Sequence, residues 1–353
     1  MPRAQRQTSF CILPPHILRA IAANGSDEER RAALATLAID PTFRLQRATY
    51  QALATGAHKA VAPVTPPQKQ RTIYTANNGQ ALPGALVRSE GLAATGDVEV
   101  TEAYDGLGAT FDFYLAAYDR NSIDDAGLPL IATVHYQQAY DNAFWNGQQM
   151  VFGDGDGTLF NRFTIAVDVI GHELTHGVTG DEVNLSYLAQ SGALNESVSD
   201  VFGSLVKQYV LKQTADKADW LIGAGLLTPK VHGVALRSMR APGTAYNDPV
   251  LGKDPQPATM AGYVHTAQDN GGVHTNSGIP NHAFYLVATS MGGNAWEKAG
   301  RIWYETIRDP RLKRTATFTQ FAQATANNAS KFFGTVERQA VSQAWTQVGV
   351  HVV

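Results

Sequence analysis

Phe163-Thr164-Ile165-Ala166-Val167-Asp168-Val169-Ile170-Gly171-His172-Glu173-Leu174-Thr175-His176-Gly177-Val178 is a mostly apolar run that reads as one helix. On a helix, positions i and i+4 share a face. His172 and His176 therefore point the same way and can hold one Zn²⁺ through two imidazole nitrogens. Glu173, one residue round, is suited to touching water on that metal. This is the layout of metal-assisted hydrolysis with a carboxylate as general base. The five-residue motif also arises by chance, and two solvated helix histidines are the plain alternative.

The stretch that follows weighs against chance. Glu196 lies in Gly192-Ala193-Leu194-Asn195-Glu196-Ser197-Val198-Ser199-Asp200 and is read as opening a second helix, carried by Val201, Phe202, Leu205, Val206 and Tyr209. Two histidines and one glutamate leave a fourth metal position open for water, the catalytic rather than the structural pattern. Asp200, one turn on, can hydrogen-bond the outer nitrogen of a metal-bound histidine. Its alternative is an ordinary surface acid.

Six motifs in order carry a resemblance to the thermolysin-type metallopeptidases, and to their protealysin-like branch. They are Asn142-Ala143-Phe144-Trp145, Gly153-Asp154-Gly155-Asp156-Gly157, the His172 to His176 motif, the Asn195-Glu196 to Asp200 helix, Leu236-Arg237-Ser238-Met239, and Gly272-Val273-His274-Thr275-Asn276-Ser277-Gly278. The resemblance runs from about Thr72 to the C-terminus. It implies an α+β, two-domain zincin, with a β-rich N-terminal domain, a mainly helical C-terminal domain and the motif helix between them. It implies one catalytic zinc on His172, His176 and Glu196, Glu173 as base, and His274 and Tyr187 as donors to the oxyanion, with Asp269 orienting His274. Asn142, Ala143 and Arg237 are the implied holders of the substrate backbone. Phe160, Phe163, Val169, Ile222, Leu226 and Leu236 match the pocket that takes the residue after the scissile bond. All six are apolar, so the expected activity is endopeptidase cleavage before hydrophobic residues, as a preference rather than a strict rule. For each of the six taken alone, plain core packing is the competing reading.

One departure from the family concerns calcium. Of the carboxylates that build its double calcium site, Asp168 and Asp219 are retained, but the other matching positions are Lys207, Leu221 and Ala224. Calcium needs six to eight oxygens. The expectation is that Lys207 pairs with Asp168, and with Asp219, in place of calcium. Val234 stands at the carboxylate position of a further calcium site near Thr228. The loop between Arg237 and His274 is longer than the family's and has no assigned role beyond shaping the cleft rim.

Three domains are expected: residues 1–50, 51–184 and 185–353. Residues 1–50 carry seven Lys/Arg against four Asp/Glu, leaving 21 against 27 in the remainder, and opposite signs favour docking. Ser26-Asp27-Glu28-Glu29 has a capping-box shape ahead of Ala32, Leu34, Leu37 and Ala38, and a second helix is read from Pro41 through Leu45. By resemblance the segment is a short propeptide marked by Pro14-Pro15, acting as the enzyme's own inhibitor. Its alternative is a permanent helical module. Cys11 has two readings, a zinc-ligating thiolate or a small buried apolar residue, and the neighbouring Ile12, Leu13 and prolines favour packing. Residues 55–70 read as an extended linker, and the activating cut is placed near Arg44 to Leu53.

Composition bounds the rest. Charged residues are 17% of 353, below the roughly 25% usual in soluble proteins. A net charge of −3 gives no general pull toward nucleic acid or anionic membrane, and no apolar run approaches a membrane span. One cysteine excludes an internal disulfide. The N-terminal stretch has only a four-residue apolar run, so the expectation is a monomer made in the cytoplasm without a Sec signal, exported if at all by another route. From Arg71 to Phe163 the pattern is mainly β, with strands at Thr72–Tyr74, Val98–Val100, 129–136 and Phe144–Trp145, interrupted by a helix over Asp105–Tyr118. A peptide-binding protein without catalysis on the same scaffold is the alternative function, and a lost Glu173 or metal ligand, which is not seen, would favour it.

Overall fold

The computed structural model describes residues 11–39 and 67–352. The helix expected at Pro41–Leu45, nearly all of the linker and the cut region lie outside the described residues. The first element, α1 (Pro15–Asn24), buries Ile17, Leu18 and Ile21. The second helix, α2, spans 27–39. Its start is the expected capping box: the Ser26 amide donates to Glu29 Oε2 at 2.8 Å and the Glu29 amide to Ser26 Oγ at 3.4 Å. Its inner face is Ala32, Ala33 and Thr36, whereas Leu34 and Ala38, expected on that face, are exposed.

A five-stranded sheet in the order β2-β1-β3-β5-β4 follows, built from β1 (Arg71–Thr75), β2 (Ala85–Ser89), β3 (Leu130–Val134), β4 (Ala143–Trp145) and β5 (Met150–Phe152). β1, β3 and β5 run parallel, and the outer pairs β1–β2 and β4–β5 are antiparallel. β4 is therefore the edge strand of the sheet, with no further strand of the sheet on its outer side among the described residues. α3 (Val98–Tyr118) crosses the sheet between β2 and β3. Val98–Val100, expected as a strand, forms its first turn. Asp97 caps that turn, accepting from the Val100 amide at 3.0 Å, and this cap overrides the β propensity of the two valines.

The motif helix is α4 (Val167–Asp181), entered through a 3₁₀ turn at Phe163–Ile165. α5 (Ala189–Leu211) begins well before Glu196, which lies two turns inside it rather than at its start. α4 and α5 pack along much of their length through facing glycines. A Cβ on Gly203 would stand 2.4 Å from the Asp168 carbonyl, and one on Gly171 would stand 3.1 Å from Gly203 Cα. This closeness brings the acids of α5 onto the histidines of α4.

Beyond α5, residues 212–268 are largely irregular, with two short ribbons, β6 (Leu221–Ile222) with β7 (Arg237–Ser238) and β8 (Asn247–Asp248) with β9 (Gly252–Lys253). Five helices complete the chain: α6 (Asp269–Asn276), α7 (Gly278–Met291), α8 (Ala299–Ile307), α9 (Phe318–Phe332) and α10 (Thr335–Gln347). One apolar core joins the sheet, α4, α5 and the C-terminal helices. No helix among the described residues is long and apolar enough to cross a membrane.

Candidate active site

α4 and α5 bring the metal-type donors together. His172 Nε2 and His176 Nε2 are 3.1 Å apart, and Glu196 approaches them at 3.6 and 3.5 Å. The outer nitrogens are engaged: His172 Nδ1 with Asp200 at 2.8 Å, and His176 Nδ1 with Asn195 Oδ1 at 2.8 Å and Ser199 Oγ at 3.0 Å. With each Nδ1 donating its proton outward, both Nε2 lone pairs face inward beside a carboxylate. Glu196 Oε2 is buried without a hydrogen-bond partner. Such a convergence of acceptors is stable only around a cation. Two nitrogens on one tetrahedral zinc at about 2.0–2.1 Å would lie about 3.3 Å apart, so the donor set fits zinc.

Two i, i+4 pairs on α5 divide the work. Asp200 holds His172 and Asn195 with Ser199 hold His176, while Glu196 reaches both histidines. Asp200 also binds Arg237 through Nε at 2.9 Å and Nη2 at 2.8 Å, and Asn281 Nδ2 at 2.8 Å. Burial alone would raise its pKa, but Arg237 and then His172 outweigh burial and hold it well below the carboxylate range. Asp200 is thus a buried acid, not a surface one. Asn195, Ser199 and Asn281 carry no role in the sequence reading. The spacing of Asn195 and Ser199 on the helix that carries Glu196 and Asp200 is the signal that points to them.

Glu173 Oε2 accepts the Trp145 amide at 3.0 Å, so α4 and the edge strand β4 hold this carboxylate between them. On the other side, His274 Nδ1 lies 2.8 Å from Asp269, whose second oxygen accepts the His274 amide at 3.0 Å. The non-helical turn Asn270-Gly271-Gly272, all at positive φ, doubles the chain back so that Asp269 can make both contacts. Burial disfavours the His274 imidazolium, but Asp269 and Glu196 outweigh it and raise its pKa to about 9. The Tyr187 hydroxyl donates to Glu196 and lies 3.3 Å from His274 Nε2. Burial, and then Glu196, hold its pKa well above the usual phenol value.

Residues 11–13 lie in this cleft. The Ile12 amide donates to the Ala143 carbonyl at 3.2 Å and the Leu13 amide to Asn142 Oδ1 at 3.1 Å. Arg237 Nη1 donates to the Ile12 carbonyl at 3.0 Å, and the Cys11 carbonyl is 3.2 Å from His274 Nε2. Phe160, Phe163, Val169, Ile222, Leu226 and Leu236 are fully buried in the same core cluster as Ile12 and Leu13. Cys11 belongs to another cluster, with Tyr136, Tyr140, Phe144 and Val151. Near the start of α4, Lys207 Nζ lies 2.9 Å from both Asp168 and Asp219 and donates to the Leu221 carbonyl at 2.6 Å.

A histidine pair with adjacent glutamate on the cleft helix, between a sheet and a helical domain, defines a metal-dependent peptidase of the zincin kind. Family models assign the particulars: "Thermolysin metallopeptidase, catalytic domain" matches residues 30–180 and "Thermolysin metallopeptidase, alpha-helical domain" matches 183–350. The "Extracellular metalloprotease" of Pectobacterium carotovorum subsp. carotovorum is 55% identical over 344 residues, 97% of this chain and 96% of that protein. "Protease PrtS" of Photorhabdus sp. (strain Az29) is 49% identical over 343 residues, covering 97% and 92%. The solved structure titled "Precursor of Protealysin, Metalloproteinase from Serratia proteamaculans" superposes with a TM-score of 0.89 at 56% identity, covering 97% of this chain and 100% of that one. The chain belongs to the thermolysin family of metallopeptidases.

Proposed function

We propose that this protein is the precursor of a zinc endopeptidase that cuts before hydrophobic residues, with residues 1–50 as its intramolecular inhibitor. The observation that carries this reading is the seating of Cys11-Ile12-Leu13 on Ala143, Asn142, Arg237 and His274, which occupies the edge strand and the histidine expected to receive substrate. His172, His176 and Glu196 would hold the zinc. Bound there, zinc supplies Lewis acidity that acidifies water and polarises the scissile carbonyl. Glu173, anchored on the Trp145 amide, takes the water proton and passes it to the leaving amine. His274, whose imidazolium Asp269 favours, and Tyr187 donate to the oxygen that gains charge. Asp269 and Asp200 position His274 and His172. An extended substrate adds to the outer edge of β4 through Ala143, with Asn142 and Arg237 fixing its register.

Ile12 stands for the residue after the scissile bond, and its burial together with that of the six apolar residues of the expected pocket supports the hydrophobic preference. Latency follows from occupancy of the cleft. Cys11 is assigned to packing, as its apolar cluster supports; retained zinc binding with lost latency in Cys11→Ser would overturn this. Lys207 is assigned the place of calcium between Asp168 and Asp219, as its two 2.9 Å contacts support. The active form works as a monomer outside the cell; the name of the Pectobacterium relative supports the location, and fractionation that finds active enzyme only in the cytoplasm would refute it.

The test is a peptide-library digest by zinc-loaded protein before and after removal of the N-terminal segment. Cuts before Leu, Ile, Phe and Val should appear only after removal. Freed, zinc-loaded protein that cuts nothing would refute the reading.

A further inference from the structure

Helix α1 continues from the residues in the cleft, and the loop between Arg237 and Asp269 forms part of the surface that receives it. His16 Nε2 meets the Tyr246 hydroxyl at 2.9 Å, Arg19 Nη1 donates to Gln268 Oε1 at 3.4 Å, and Asn24 Nδ2 to the Val250 carbonyl at 3.5 Å. Ile17, Leu18 and Ile21 are fully buried, and Tyr246 and Leu251 of the loop are buried as well. Between cleft and helix stand Pro14, extended at φ −65° and ψ 144°, and Pro15, the first helical residue. The two prolines fix the spacing between Leu13 and the helix, because a proline suits both an extended exit and a helix start.

The loop holds its shape by its own bonds. Asp248 accepts the amides of His232, Val250 and Leu251 at 2.9, 2.7 and 3.0 Å. Asp254 accepts those of Gly243, Ala245 and Gln256 at 3.0, 3.1 and 3.0 Å. Gln256 Nε2 then donates to the His274 carbonyl at 2.8 Å, which ties the loop to the catalytic cleft. None of these bonds involves α1. Departure of the N-terminal segment therefore uncovers a preformed surface beside the cleft that carries the Tyr246 hydroxyl and the Val250 carbonyl, and a preformed surface binds at a lower ordering cost.

We propose that this loop surface is an extended substrate-recognition site. The occupant it fits is a protein with two apolar residues after the scissile bond and, two residues further on, the start of a helix whose aliphatic side chains lie at i, i+1 and i+4. The inference rests on the peptidase reading above, in which Ile12 and Leu13 mark those two apolar residues. The segment now bound is the template for the occupant: its cleft residues and its helix are continuous, so a substrate following the same path meets the same partners. Ordering a free helix offsets much of what its burial contributes, so the expected gain is about tenfold rather than thousandfold.

The test uses three peptides with one common scissile sequence and the zinc-loaded enzyme freed of its N-terminal segment. One ends at the residue equivalent to Pro14. The second continues with the sequence through Asn24. The third is the second with the equivalents of Ile17, Leu18 and Ile21 changed to serine. The expected result is a KM about tenfold lower for the second peptide only, with kcat little changed. The same split should appear as Kd, by fluorescence anisotropy, with Glu173→Ala enzyme. Tyr246→Ala and Val250→Glu should each bring the ratio between first and second peptides below about threefold. Equal KM for the first two peptides, or equal KM for the second and third, would overturn the loop site and leave the peptidase intact. Failure to cleave any of the three would overturn the peptidase reading as well.

Discussion

One turn of α4 separates two buried acidic environments that answer the same physical demand differently. At the first turn, Asp168 is met by Lys207, whose ammonium lies 2.9 Å away and 2.9 Å from Asp219. Burial works against that ammonium, but Asp168 and Asp219 outweigh it and hold its pKa above the ordinary value. At the next turn, His172 and His176 converge with Glu196, whose Oε2 has no donor. The first positive charge is covalently part of the chain and has no open coordination position. The second must be recruited, and a recruited ion can offer a position to substrate and water. The difference teaches that a buried carboxylate can be met by a cation built into the chain or be left open toward one that the chain does not supply.

The largest effects should fall at the recruited site. Glu173→Gln should lower kcat by about 10²–10⁴-fold while zinc content stays near one per chain, since the residue acts as a base and is no ligand. Glu196→Gln should lose both activity and zinc. Metal analysis beside peptide kinetics checks the pair; equal zinc retention in both variants would remove Glu196 from the metal site.

The fixed site should give a large loss of stability with little direct effect on chemistry. Lys207→Ala leaves Asp168 buried and unpaired, at a cost of about 3–5 kcal/mol. Scanning calorimetry should show a melting point lower by roughly 5–10 °C. Wild-type protein should show no comparable rise in melting point with millimolar calcium. A rise of several degrees would break the comparison, because calcium would then be displacing or supplementing the lysine.

Much of this contrast is legible in the amino-acid sequence. The i, i+4 histidines, Glu196 and Asp200 follow from helix spacing and charge, and the donors come together as that spacing requires; the pairing of Lys207 with Asp168 and Asp219 is implied by the family resemblance, and those ion pairs are present. The fold class is legible through the ordered motifs, which the strand and helix assignments largely follow. The exceptions have physical reasons. Val98–Val100 reads as a strand because β-branched residues carry that propensity, while the cap at Asp97 acts through one hydrogen bond that periodicity does not register. The start of α5 at Ala189 is obscured because Gly192 reads as a breaker, yet its missing Cβ is what allows Val273 and Tyr187 to approach. Asn281 reaches Asp200 across 81 residues and Tyr246 meets His16 across 230, and no local pattern announces contacts at such separations.

A third, smaller effect tests how many cations the cleft tolerates. His16 on α1 is half-buried near Arg237 and His274. Burial first, with those two cations and Arg19 adding to it against the opposing pull of Asp269, lowers its pKa from 6.5 to about 4. Docked His16 is therefore neutral where the undocked residue would be protonated. Docking is unpenalised above pH 6.5 and weakens as the pH falls toward 4, by at most about tenfold per unit. The rate at which added protease removes the N-terminal segment should rise accordingly on acidification, and His16→Gln should flatten the profile. An unchanged slope in that variant would place the acid sensitivity elsewhere.

The smallest effect comes from a cation of intermediate kind. His135 lies between two carboxylates, as Lys207 does, with Nδ1 2.9 Å from Asp154 and Nε2 2.9 Å from Asp97. It joins the end of β3 to the cap of α3 and to the Gly153–Gly157 loop. The hydrogen bond to Asp154 is the largest cause that raises its pKa to about 9, with Asp97 adding to it against partial burial. A pKa raised from 6.5 means that the bridge contributes fully below pH 6.5 and is lost as the pH rises through about 9. Because the side chains are partly exposed, solvent screening should hold the contribution to less than about 1 kcal/mol. Denaturant midpoints at pH 6 and pH 10 should differ by this small amount more in the wild type than in His135→Gln. Lys207 should show no such loss over that range, because its ammonium is held protonated above its ordinary pKa of 10.5. An equal pH dependence in wild type and variant would mean that the imidazolium is not the linking charge, and that the two carboxylates are held apart by backbone alone.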